Sequence, residues 1–218
     1  MKHFVLASSV VAALAGSADA AISTFTRLAT WQDAPGNPGG SVFAPGTVAE
    51  FATEDFSGSA GPIGPSLSGG TGWSSWIATS STSGGGLAGT GGALYSMPAG
   101  SSLVFTFGTP SGPSAGVMGV GGDFRFFSSD GSAIDGRIWV RLGNGSSVMR
   151  TFTAAEPFVG FWSNDLGAPI QSLRIQPISS LGPTTYVGID TLYLATVPAP
   201  GSLAVLVAVG MIGSRRRR

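Results

Sequence analysis

The chain has 218 residues with 35 Gly, 14 Pro, no Cys and one His. That His is His3, in a segment expected to be removed, so the mature body would lack both imidazole and thiol. Ser-His-Asp and cysteine nucleophiles, zinc fingers, disulfides, and haem or iron–sulfur ligation through these residues are thereby excluded. Setting both ends aside leaves six Arg and ten carboxylates in residues 21–196, a charge of −4 (6 − 10) with no Lys. Such a body is a poor partner for phosphate backbones, and nucleic acid is not expected as a ligand.

Residues 1–20 read as a secretory signal peptide. Lys2 gives a positive start, Phe4 to Ala15 is a mostly apolar run, and Ala18-Asp19-Ala20 is a small-x-small pattern, which predicts cleavage between Ala20 and Ala21.

The body, residues 21–196, is poor in the residues that fill exposed helix faces, and its segments are short, alternating and separated by Gly, Pro, Ser or Asn. Strands are expected at 22–28, 47–56 and 73–78, with an irregular stretch at 33–46. The Gly- and Ser-rich 81–92 is expected as a flexible loop. Residues 102–107 alternate cleanly, and 117–127 form a long run in which Gly121 and Gly122 suggest a bulge or bend. In 137–142, Ile138, Val140 and Leu142 share one face, and Arg137, Trp139 and Arg141 the other. A turn at 143–146 leads into 148–152, and further strands are expected at 157–163, 170–178 and 186–194. About ten strands in one body predict an all-β fold, a single antiparallel β-sandwich of jelly-roll type. A parallel β-helix is the alternative, but no fixed repeat period is present.

The C-terminal segment, residues 197–218, opens with Val197, Pro198, Ala199 and Pro200. An uncharged run, Leu203 to Gly213, follows and then Arg215, Arg216, Arg217 and Arg218. Eleven helical residues reach only about 17 Å, short of a ~30 Å hydrocarbon core, while the Arg cluster resists translocation. The segment resembles a PEP-CTERM sorting tail, with Ala199 where that family usually has Glu. The resemblance implies a short membrane helix that anchors the chain transiently. It also implies processing by an exosortase-type peptidase and delivery to the outer surface or extracellular matrix. An ordinary hydrophobic anchor is the other reading, and it too places the body outside the cytoplasm. Two body motifs, Phe158, Gly160, Phe161 and Ile189, Asp190, Leu192, are similar to those of many PEP-CTERM proteins and imply a lectin-like sandwich without assigned catalytic residues.

Three constellations could carry function. Glu50, Glu54, Asp55, Asp123, Asp130, Asp135, Glu156, Asp165 and Asp190 could supply the carboxylate pair of a glycoside-active enzyme. Most sit in turn-like contexts, as in Asp130-Gly131 and Asp135-Gly136, where Asp is favoured locally, and no catalytic residue is assigned. Asp190 with Glu54 or Asp55 is a calcium candidate, in which a structural ion would clamp the first and last strands. No other cofactor is expected. Trp73, Trp76 and Trp139 are candidates for stacking on sugar rings, whereas Trp162 reads as core. The reading is an exported, non-enzymatic surface or extracellular-matrix protein, with exopolysaccharide as its candidate partner. Glycoside-active enzyme and an adhesion or ice-binding surface protein are the alternatives.

Overall fold

The computed structural model describes residues 22–36, 43, 47–71, 74–108, 114–156, 158–178 and 185–198. The expected signal segment, Trp73, and the tail from Ala199 onward lie outside them. In chain order the elements are β1 (Ile22–Phe25), α1 (Leu28–Gln32), β2 (Glu50–Glu54), β3 (Gly61–Gly64) and β4 (Ser66–Thr71). Next come β5 (Ser74–Ser80), β6 (Gly86–Thr90), β7 (Ala93–Met97), β8 (Leu103–Phe107) and β9 (Ser114–Phe127). The last five are β10 (Gly136–Leu142), β11 (Ser147–Phe152), β12 (Val159–Ser163), β13 (Ile170–Pro177) and β14 (Tyr186–Pro198).

These strands form two sheets, ordered β1-β12-β9-β14-β7-β6-β3, with β2 also on β14, and β11-β10-β13-β8-β5-β4. Every pairing is antiparallel. The fold is therefore the all-β sandwich that the alternation predicts, and not a β-helix. Period-2 patterning makes the core: Ile138, Val140 and Leu142 of β10 point inward with Leu103 and Phe105 of β8, meeting Val120, Phe161, Ile189 and Leu192 of the larger sheet.

A second apolar cluster lies on the outer face of the larger sheet. Trp31 of α1 is packed there with Trp162, Phe158, Met118, Ala195 and Val197. Gly119, Gly121 and Gly160 pave that face. A Cβ at Gly119 would lie 2.8 Å from the Trp162 ring, one at Gly121 2.6 Å from Phe158, and one at Gly160 2.5 Å from Trp31. These glycines seat the aromatics. At Gly121 and Gly122, where a bulge or bend is expected, the register of β9 with β12 runs unbroken from Gly122 to Gly119. Against β14 the register shifts beside Gly122, where Asp190-Thr191 lie between the pairs Ile189↔Phe124 and Leu192↔Gly122, and again between Ala195 and Thr196 and between Thr196 and Pro198.

Three expectations are corrected. Residues 81–92 hold β6, which pairs with both β3 and β7; Gly89 permits this, since a Cβ there would lie 2.4 Å from the Ser59 carbonyl oxygen. The segment 22–28 is a four-residue strand that gives way to α1, because the chain turns to lay Trp31 on the sheet. The sandwich does not stop at residue 196: β14 continues through Val197, which is buried, and Pro198, which pairs with Ser114. No helix among the described residues is long and apolar enough to cross a membrane.

Candidate functional site

The outer face of the six-stranded sheet carries the first candidate surface. Trp139 sits mid-strand on β10, opposite the residues that fill the core, and is 37% exposed. It is the exposed tryptophan among the described residues, since Trp31, Trp76 and Trp162 are all buried. Register sets its neighbours: Met149 of β11, itself exposed, on one side and Arg174 of β13 on the other. Adjacent strands lie ~4.8 Å apart, so these side chains stand next to the indole. Arg137 and Arg141 occupy the same face two residues before and after it, about 6.6 Å away along the strand. The Arg174 Nε donates to Ser102 Oγ at 3.2 Å, which leaves its terminal nitrogens for other partners. The result is a flat aromatic platform bordered by three guanidinium groups.

The second surface is a cleft of about 440 Å³ at one end of the sandwich, lined by Asp123, Arg125, Asp190, Thr191 and Glu156 above a floor that includes Phe152. The irregularity in β14 brings Asp190 beside Arg125, whose Nε donates to Asp190 Oδ2 at 2.8 Å and whose Nη2 reaches the same oxygen. Glu156 is held by Arg150, and its Oε2 accepts from the Thr153 backbone N–H at 3.1 Å. Asp123 is half-buried. Burial pushes its carboxyl above the usual range, helped by the negative Asp190, while hydrogen bonding to Thr191 and Tyr193 and the nearby Arg125 oppose the shift. Burial also raises the neighbouring Tyr95 and Tyr193 phenols, with the Asp190 and Asp123 carboxylates respectively adding to it.

Asp130, Asp135 and Asp165 hold turns and loops. Asp130 Oδ1 accepts from the Ser132 N–H at 2.9 Å and from the Ser128 hydroxyl; these bonds pull its carboxyl down to about 2. Asp135 accepts from the Ala154 N–H at 2.9 Å, tying two loops at the cleft rim, and Asp165 accepts from Gly167 N–H at 2.8 Å. Of the carboxylates weighed for a glycosidase pair, the cleft gathers Asp123, Asp190 and Glu156, and leaves Glu50, Glu54 and Asp55 elsewhere.

The calcium candidates do not assemble. Glu54 and Asp190 are near in register, since Glu54 pairs with Leu192 on β14. Yet Asp190 is taken by Arg125, and Asp55 Oδ1 holds the next turn through the Ser57 N–H at 3.0 Å and hydroxyl at 2.8 Å, which lowers its carboxyl. Glu54 Oε1 faces the Phe56 N–H at 3.4 Å. That turn carries Phe56 at φ 52 into the core against Trp76 and Phe105. No group of three or more acidic, His or Cys side chains among the described residues is placed to hold a metal ion.

Trp76, expected as a stacking candidate, is a core residue: it is 3% exposed and packs edge-on against Phe56 and Phe105, with ring centroids 5.8 and 5.6 Å away. Alternation along β5 points Ile77, not Trp76, outward. Trp73 and the tail residues Ala199, Pro200 and Arg215 to Arg218 lie outside the described residues, as does the Ala20–Ala21 cleavage point. Arg174 was not singled out by the sequence, because only strand register brings it beside Trp139; its alternation with Leu173 and Ile175 gave the sole local hint.

No protein-family model matches the chain, and no curated protein matches it. Among solved structures the chain is similar to family 29 carbohydrate-binding modules. One, in complex with cellulohexaose, shares 14% identity at a TM-score of 0.38 and covers 67% of this chain and 91% of its own. Another, in complex with mannohexaose, shares 14% at 0.38, covering 68% and 92%. A third, from Piromyces equi, shares 7% at 0.37, covering 67% and 90%. Likeness at this level is one of outline, and function is read from this chain's own residues.

Proposed function

We propose that this protein is a non-enzymatic carbohydrate-contacting β-sandwich that meets exopolysaccharide through the outer face of its six-stranded sheet. The observation that carries the reading is Trp139, held 37% exposed in mid-strand beside exposed Met149 although its strand has an inward face to offer. An indole in that setting offers a broad apolar face and an N–H, the combination that stacks on and hydrogen-bonds to a sugar ring. The test is affinity electrophoresis of the full chain through gels containing a panel of neutral and acidic polysaccharides. Retardation by at least one polymer, lost in Trp139→Ala at unchanged thermal midpoint, supports the reading; equal mobility in all gels for both proteins ends it.

The ends complete the proposal. Residues 1–20 export the chain, and the segment from Val197 onward hands it to an exosortase-type peptidase, with transient anchoring in the inner membrane and delivery to the surface or matrix. Support comes from the order of charge, apolar run and small-residue site at the start, and from the Val-Pro-Ala-Pro, apolar run and Arg cluster at the end. Val197 is buried and Pro198 paired in β14, so on this reading the peptidase works on the chain just beyond the sandwich. Intact mass of the native protein after fractionation tests it. A surface species beginning at Ala21 and ending near Pro198 agrees, and a full-length cytosolic species does not.

A hydrolytic reading has one observation in its favour: Asp123, with a raised carboxyl, shares a cleft with Asp190. Against it, Arg125 Nε and Nη2 both engage the same Asp190 oxygen. Release of reducing ends from oligosaccharides, lost in both Asp123→Asn and Asp190→Asn, would decide for hydrolysis.

A further inference from the structure

We infer that the polymer taken by the Trp139 face is anionic, a polysaccharide bearing uronic-acid carboxylates. The inference rests on the carbohydrate-contacting reading above and names its ligand class. Charge is sorted between the two sheets. The six strands of the smaller sheet contain Arg137, Arg141, Arg150 and Arg174 and not one Asp or Glu. The strands of the larger sheet contain Glu50, Glu54, Asp123 and Asp190 against Arg125 alone. In a body with four more carboxylates than guanidiniums, an acid-free sheet is the opposite of what composition alone would place there.

Pairing sharpens the contrast. Arg125, which lines the cleft, and Arg150 are in ion pairs with the cleft acids Asp190 and Glu156. Arg137, Arg141 and Arg174, the three around Trp139, are in neither of the ion pairs found among the described residues. Each is a planar, permanently charged fork suited to bidentate recognition of a carboxylate. Three such groups on one face, with no acid in the strands of that sheet, repel one another at a cost that a bound polyanion relieves.

Geometry favours a polyuronate over a polyphosphate. Arg137 and Arg141 are about 13 Å apart along β10 with Trp139 midway, and Arg174 is one strand over. This is a sparse array around a single stacking ring. Single-stranded nucleic acid is gripped by aromatics that stack successive bases, and among the described residues the tryptophan platform of this face has one ring. A uronate chain offers a ring face to the one indole and carboxylates to the forks on either side of it.

The test uses the full chain and two polymers of one backbone, polygalacturonate and its fully methyl-esterified form, with single-stranded oligonucleotide and anionic lipid vesicles as further probes. The expected result is binding to polygalacturonate at least about tenfold tighter than to the ester, weakened at about 0.5 M salt. The combined Arg137→Gln, Arg141→Gln, Arg174→Gln variant should lose that preference, while Arg27→Gln, at the start of α1 and away from this face, should keep it. Equal, Trp139-dependent binding to both polymers overturns the anionic inference and leaves the carbohydrate reading standing. Retention by no polysaccharide at all overturns both. Binding to oligonucleotide or vesicles as tightly as to polygalacturonate, with loss in the triple variant, assigns the face to another class of ligand and overturns the inference.

Discussion

Trp162 is tied to Trp31 across 131 residues of chain: its indole N–H donates to the Trp31 carbonyl at 2.9 Å. The Trp31 indole N–H in turn donates to the Phe161 carbonyl at 3.1 Å, and the two rings lie 5.5 Å apart. Both side chains are fully buried, and both donors are satisfied, as buried polar groups must be. The pair fastens the N-terminal segment over the outer face of the larger sheet. One outer face is thus partly roofed by the protein itself, while the other keeps its indole in solvent.

Trp31→Ala should therefore cost about 3–5 kcal/mol, through lost burial, a cavity and an orphaned Phe161 carbonyl. Denaturant unfolding followed by circular dichroism measures it. A loss below about 1 kcal/mol would mean that the helical segment is not docked as described.

The paving glycines give a second expectation. A Cβ at Gly160 would meet Trp31 Cδ1 at 2.5 Å and Phe158 Cε1 at 2.9 Å, so Gly160→Ala should destabilise by about 1–3 kcal/mol. Gly58 has nothing within 4 Å of its would-be Cβ, and Gly58→Ala should stay within about 0.5 kcal/mol of the parent. Similar midpoints for the two variants in a thermal melt would contradict the seating of the aromatics.

Asp123 sets a pH dependence. Burial raises its folded-state carboxyl above the unfolded value, so its contribution is most favourable below the unfolded pKa and is lost as pH rises through the folded one. Asp123→Asn removes the cost of ionisation. It should stabilise the protein near neutral pH by up to about 1 kcal/mol, given solvent screening of a half-buried group. The gain should shrink at a pH below the ordinary carboxylate range. Thermal midpoints of both proteins at the two pH values report the difference; a variant less stable at neutral pH, or a gap unaffected by pH, contradicts the assignment.

Much of this architecture was legible in the chain. Alternation in 102–107 and 137–142 marked both strands and their inward faces, and it placed Arg137, Trp139 and Arg141 together. What escaped was information carried by register and by other elements. β3, β4 and β6 are built of Gly, Ser, Pro and small apolar residues, too weakly patterned to stand out from loops. Trp76 and Ile77 occupy opposite faces of β5, but nothing local says which face is inward; Phe56, arriving from a distant turn, decides it. Likewise the Asp190 carboxylate looked available for a metal until the β9–β14 pairing set Arg125 beside it.

The most direct measurement is oxidation of tryptophans by N-bromosuccinimide, mapped by peptide mass spectrometry, with and without a retained polysaccharide. Trp139 should react first, with Trp31, Trp76 and Trp162 protected until unfolding, and saturating polymer should shield Trp139. Early oxidation of Trp76 or Trp162, or a Trp139 that reacts as fast with polymer bound as without, would contradict the account.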